Sequence, residues 1–299
     1  NKKKKRKKKH SDDDDDSDSS SDDDDIPISE QNQTKKFVYK VTLDFLGKDS
    51  MRYHQTVKVT QQVYKNLRSF LAGKKDDMDI FEKIDPNKVN DYLRDQMEGL
   101  TAKVFRTHNA STTLEIELAK GYHPQIGKIT TKSTLDEKKF FYDQCNMQVA
   151  ILCNHQRSVS KTHGEQLQKI DQQIEDIKET IEELQEEYDI KTGKKSKRKK
   201  KKKKKDADTP TKKKREKSEE QLLAAIKKKK EQLRKKQLQK RGKEDNKEVA
   251  LGTSKINYMD PRITVAWCKR LQVPIEKVFN KSLLDKFPWA MQSMSKYGF

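Results

Sequence analysis

Leu167, Ile170, Ile174, Ile177, Ile181, Leu184 and Tyr188 follow one another at alternating steps of three and four, with polar or charged residues between them. A seam of that period has one solution, a long helix that buries a narrow stripe against another helix. Gly193 breaks the pattern, residues 194–205 are almost purely basic, and Pro210 blocks early resumption. A second apolar series, Leu222, Ile226, Leu233 and Leu238, predicts a further helix over about 218–241. Two helices joined by a loop predict an antiparallel coiled-coil hairpin over residues 165–243. A chain with such an arm in its middle cannot fold into a single compact core, so its folded parts must lie on either side.

Charge supports that division. Of 299 residues, 68 are Lys or Arg and 48 Asp or Glu, for a net charge of +20, and only 31% are hydrophobic. The basic excess points to a polyanionic partner, with nucleic acid ahead of an anionic membrane surface. Residues 1–33 join a lysine block to an Asp/Ser block with almost no apolar content, and are expected to be disordered. The lysine block reads as a nuclear-localisation signal, and the Ser–Asp run as a phosphorylation substrate. No stretch approaches the ~20 apolar residues of a membrane span, and the beginning of the chain has no apolar signal region. The chain starts at Asn1 and reads as a fragment or processed product. Cys145, Cys153 and Cys268 are too few and scattered for a disulfide framework or a zinc site, and Cys153 and Cys268 should pack as small hydrophobes.

The expected fold is mainly α with a small β-hairpin region. Residues 37–46 are β-branched, aromatic and partly alternating, Gly47-Lys48-Asp49-Ser50 supplies turn chemistry, and 51–59 can return as a second strand. Helical patterns cover 61–71, 86–98 and 110–119, the second opening with Asp85 as N-cap and Pro86 at the first helical position. Residues 140–156 read as a buried helix. From 244 onwards composition is globular again, with Trp267, Val273, Pro274, Ile275, Val278, Phe279, Phe287 and Trp289. That piece is small enough to need the preceding region to complete its core.

Four strings carry the chemistry. Ser254-Lys255-Ile256-Asn257-Tyr258-Met259-Asp260-Pro261-Arg262 sets one tyrosine between two cations. A phenol ordinarily ionises near pH 10, so its use as a nucleophile at neutral pH needs positive charge around it, and Lys255 and Arg262 are the flanking candidates. Phe45-Leu46-Gly47-Lys48-Asp49-Ser50-Met51-Arg52-Tyr53 sets a lysine in a turn. Met97-Glu98-Gly99-Leu100-Thr101-Ala102-Lys103-Val104-Phe105-Arg106-Thr107-His108-Asn109-Ala110-Ser111 carries a guanidinium whose fork suits two phosphoryl oxygens. Ala150-Ile151-Leu152-Cys153-Asn154-His155-Gln156-Arg157 sets a histidine at the end of an apolar run, with His108 and His123 as weaker rivals.

Together these strings resemble, over residues 37–299, the carboxyl half of eukaryotic type IB DNA topoisomerases. The resemblance implies a topoisomerase IB and tyrosine-recombinase-like catalytic core. In it Tyr258 would attack DNA to form a 3′-phosphotyrosine, Arg106 and His155 would bind the scissile phosphate, and Lys48 would protonate the leaving 5′ oxygen. It implies DNA or inhibitor contacts at Asp49 and Asn257, with Lys103 and Arg52 expected at the DNA. No cofactor or metal is implied, and the partners are double-stranded DNA and an upstream amino-terminal part of the same enzyme, in a monomeric nuclear protein. The family's other active-site arginine precedes the lysine hairpin, where this chain has only Arg6 in a lysine block. Two other readings are a tyrosine recombinase, which the long separation of His155 from Tyr258 disfavours, and a non-enzymatic basic nuclear DNA-binding protein, which leaves the four strings to chance.

Overall fold

The computed structural model describes residues 38–47, 52–194 and 217–299. The expectations for 1–33, for Lys48 and Asp49, and for all but Lys194 of the basic tract lie outside the described residues. The described residues fall into two compact units, divided between Ile80 and Phe81.

In the first unit, β1 (Tyr39–Leu46) pairs antiparallel with β2 (Arg52–Val59) in a register running from Tyr39 opposite Val59 to Leu46 opposite Arg52. Side-chain pairs on the ribbon fix that register. Thr42 and Thr56 share a hydroxyl hydrogen bond of 2.9 Å, and the Phe45 and Tyr53 rings stand 5.0 Å apart. Helix α1 (Gln61–Leu71) starts at Thr60, whose hydroxyl accepts the Val63 N–H, and packs on β1 through Tyr39 and Tyr64.

The second unit is helical apart from a short ribbon, β3 (Tyr122–His123) with β4 (Gly127–Lys128). Helix α2 (Pro86–Gln96) opens on the Asp85 cap, whose carboxylate accepts the Asn87 and Lys88 N–H groups. Helix α3 (Ala102–Ala119) begins eight residues before the sequence pattern indicates. Its Thr101 cap makes no side-chain bond. The free Ala102 N–H instead donates to Asn90 Oδ1 of α2, a tertiary cap with no local signature. Helix α4 (Leu135–Leu152) also starts early, at a capping box in which Thr134 and Glu137 exchange side-chain and backbone bonds. Its end lies four residues before the expected 156.

The core draws on both sides of the arm. Ala110, Leu114 and Leu118 of α3, and Phe141, Tyr142, Cys145 and Val149 of α4, close on Met259, Ile263, Trp267, Val278 and Phe279. Trp267 is 2% exposed, with its ring 5.3 Å from that of Tyr142. The carboxyl-terminal piece therefore has no separate interior. Trp289 departs from the expected core set: it is 54% exposed, its ring edge-on to Phe287 and its face covered by Arg262. All three cysteines are buried free thiols, and burial pushes those of Cys145 and Cys268 up to about 12.

The predicted seam lies on α5 (His163–Lys191), where Ile170, Ile174 and Leu184 are buried and the other seam residues half-buried. Its partner α6 (Glu219–Asp245) runs antiparallel to it. Lys191 Nζ donates to the Lys217 carbonyl, Leu184 packs with Leu222 and Ile226, Lys236 bonds Gln173, and Lys243 bonds Gln166. The second half of α6 also lies along α4. Arg234 pairs with Glu137, Lys235 with Asp136, Gln144 donates to Asp245, and Gly242 faces the Phe140 ring. The root of the arm is closed by a β-bridge between Gln156 and Val249, in which Arg157 N–H donates to Glu248 O and Ala250 N–H to His155 O.

Candidate active site

Tyr258 sits between two helices, α7 (Leu251–Asn257) and α8 (Pro261–Leu271). The Ser254 carbonyl accepts both the Tyr258 and the Met259 N–H, which ends α7 at the tyrosine. Asp260 then caps α8 by accepting the Arg262 N–H, with Pro261 at the first helical position. Buried Met259 anchors the turn in the core and leaves the Tyr258 ring half-buried. Ser111, fully buried on α3, spans the turn: its hydroxyl accepts the Asp260 N–H at 3.0 Å and donates to the Tyr258 carbonyl at 3.5 Å.

Three side chains meet the tyrosine ring. Arg106 Cζ lies 5.4 Å and Lys103 Nζ 5.7 Å from its centroid, within cation–π range. The two cations share a face of α3 because they are three residues apart on a helix; as a loop, this stretch would not hold them together. The His155 ring stands 5.2 Å away at 30° to the phenol. It reaches that place because Asn154 takes a left-handed φ of 54° after α4. The His155 N–H then bonds back to Ala150 O and the Asn154 N–H to Ile151 O, a Schellman stop. Asn is one of the few side chains at ease in that conformation. His155 Nδ1 meets Ser254 Oγ at 2.8 Å. Burial, with the Arg106 charge adding to it, pushes the imidazole below its ordinary value and so favours its neutral form.

The flanking cations do not do what their place in the sequence suggests. Lys255 turns inward, its side chain 12% exposed, over the Tyr142 ring at 5.1 Å, near Asp143 and the Val278 carbonyl, and burial lowers its pKa. Arg262 is held by the Asp260 carboxylate and stacks on Tyr297 and Trp289. The positive charge at the phenol comes from α3, more than 150 positions away in the chain. Neither rival histidine joins the cluster: His108 stacks on Phe299, and His123 stands edge-on to Phe140. Tyr142, the other core tyrosine, is fully buried with its hydroxyl on Thr264, and burial pushes its phenol up, out of the range of a working nucleophile.

Of the remaining expected residues, Asn257 is exposed on the last turn of α7, beside the tyrosine in sequence. Arg52 lies in the first unit, where its guanidinium grips Asp44 at 2.7 and 2.5 Å and holds that carboxyl at about 2. Among the described residues no group of His, Cys, Asp and Glu is arranged to hold a metal, and no helix is long and apolar enough to cross a membrane. Sequence reading missed Ser254 and Ser111. Both are buried hydroxyls inside the quoted strings, and a buried serine acquires meaning only from the partner the fold brings to it.

Residues 28–188 match the family model described as the catalytic core of eukaryotic DNA topoisomerase I, and residues 230–299 match the C-terminal topoisomerase domain. DNA topoisomerase 1 beta of Arabidopsis thaliana is 47% identical over 260 residues, covering 87% of this chain and 27% of that protein. The Caenorhabditis elegans DNA topoisomerase 1 is 43% identical over 262 residues, 88% of this chain and 28% of the relative. The Homo sapiens DNA topoisomerase 1 is 42% identical over 253 residues, with 85% and 31% covered. The chain thus spans about 30% of the length of these relatives.

Proposed function

The chain belongs to the eukaryotic DNA topoisomerase I family, and on that footing we propose that it carries the strand-cleaving half of a type IB reaction on double-stranded DNA. In this reading the Tyr258 hydroxyl releases its proton to solvent and its oxygen bonds to phosphorus as the bond to the 5′ oxygen breaks, leaving a 3′-phosphotyrosine and a free 5′ hydroxyl. Arg106 grips two phosphoryl oxygens through its fork and neutral His155 donates to one of them, so that both favour the charge of the pentacoordinate state. Lys103 adds charge on the same side. Lys48 hands its proton to the leaving oxygen, and Asp49, Asn257 and Arg52 contact DNA or an inhibitor. Religation reverses each step after the strand has turned. The covalent link conserves the energy of the broken ester, so the cycle calls for neither nucleotide hydrolysis nor a metal.

The proposed organisation assigns residues 1–33 to a charged segment, 34–164 to the catalytic core, 165–243 to the linker arm and 244–299 to the domain bearing the nucleophile. The protein would work in the nucleus as a monomer, completed by an amino-terminal part that supplies the second arginine. What carries the reading is the convergence of Arg106 and Lys103 from one string and His155 from another on the phenol of a third. A recombinase would share these groups, but the long arm between His155 and Tyr258 favours the topoisomerase.

The test is Tyr258→Phe in the natural polypeptide that carries this sequence, assayed on supercoiled plasmid. Removing one hydroxyl should leave folding and DNA binding intact and abolish trapped protein–DNA adducts. Adducts that persist at the parental level would assign the nucleophile elsewhere.

A further inference from the structure

Ser254 has two bonds to give, and both reach the site. Its carbonyl fixes where α7 stops and hence where Tyr258 begins. Its hydroxyl is fully buried, and among the described residues its hydrogen-bond partner is His155 Nδ1 at 2.8 Å. A serine hydroxyl carries a single hydrogen, and a neutral imidazole one N–H on either nitrogen. If Nδ1 bore the hydrogen, Ser254 would have to accept it, and its own O–H would be buried with no acceptor, an arrangement that carries the full desolvation penalty of the unpaired donor. If Ser254 donates to Nδ1, every buried hydrogen is used and the ring hydrogen must sit on Nε2.

We propose that Ser254 is the positioning residue that locks His155 as its Nε2–H tautomer and so aims a hydrogen-bond donor at a phosphoryl oxygen of the bound strand. The inference rests on the function proposed above. It adds that the donor and the nucleophile are both set by one residue: the imidazole through the Ser254 side chain, the phenol through the Ser254 backbone. The groups around the ring are consistent with a neutral donor, since the Tyr258 phenol lies against it, the Arg106 charge acts on it, and among the described residues no carboxylate pairs with it. The lock is separable from the fold. Alanine at position 254 keeps the backbone bonds that stop α7 and is the better helix former.

The experiment uses the natural polypeptide carrying this sequence, with histidine labelled by heavy nitrogen. In the parent protein the His155 ring should show an unprotonated Nδ1 and a protonated Nε2. In Ser254→Ala the two tautomers should mix. Single-turnover cleavage should fall on the order of ten- to a hundred-fold, as for other partners that orient an imidazole, with DNA affinity unchanged. In a His155→Gln background, where an amide donates without help from the hydroxyl, Ser254→Ala should cost nothing further. A protonated Nδ1 in the parent, or an undiminished loss in the Gln background, would overturn the proposal. Failure of the functional reading looks different, because it would appear as adducts surviving Tyr258→Phe and would leave the tautomer signal untouched.

Discussion

Asn154 shows how a single backbone angle serves the site. Its left-handed φ ends α4 and delivers His155, yet among the described residues no hydrogen bond or ring contact ties its side chain to Arg106, Lys103 or Tyr258. Asn154→Gly should therefore be tolerated. Asn154→Val, which meets the full cost of that conformation, should lose about 1–2 kcal/mol in denaturant unfolding and lower cleavage more than DNA binding. His155 adds a dependence on pH. Its folded pKa is depressed, so its contribution to stability is complete above its ordinary value near 6.5 and is lost as pH falls, because the unfolded chain takes the proton first. The melting temperature of the parent should drop between pH 7.5 and 5.5 more steeply than that of His155→Gln; equal slopes would show that the ring is not desolvated. The strings single out Tyr258, Arg106 and His155, and the fold brings those side chains together. The turning-in of Lys255 is not legible in its string, because whether a lysine faces solvent or core depends on Asp143 and Tyr142, which only the fold places beneath it.

At the scale of elements, period and turn chemistry read well and helix beginnings read poorly. The seam, the hairpin pattern and the Asp85–Pro86 start all mark real elements. The first turns of α3 escape the pattern because their cap, Asn90, comes from α2 and their exposed cations give no apolar stripe. The Thr134–Glu137 box that starts α4 is a local sequence signature, Thr-x-x-Glu, lying ahead of the apolar run that marks the helix. The arm is likewise not a free appendage along its whole length, since Arg234, Lys235 and Gly242 commit the second half of α6 to α4. Removing its outer part, residues 178–230, with a short turn in its place should leave the melting temperature nearly unchanged while flattening the salt dependence of DNA binding. Removing 165–243 should lower stability as well, by baring the α4 face. Equal melting temperatures for the two deletions would show that the α4 contacts contribute nothing.

For the molecule as a whole, Trp267 and Phe279 unite pieces that the arm separates by many residues, and burial of that kind survives a cut in the chain. A protein divided between residues 194 and 217 should reassemble from its two parts. A second part running 217–299 should bind the first far more tightly than one running 244–299, because only the longer part restores α6 on both α5 and α4. Co-elution over a dilution series distinguishes them, and equal affinities would remove α6 from the assembly. The sequence foretold that the last segment needs the core, since it is too small to bury its own tryptophan; that Trp289 would stay outside depended on Arg262, which covers it from a neighbouring helix. The bridge at the root of the arm ties the long helices to the site. The bond that Ala250 N–H gives to the His155 carbonyl couples that root to both halves of the site, because Ala250 is also the residue from which α7 runs to Tyr258.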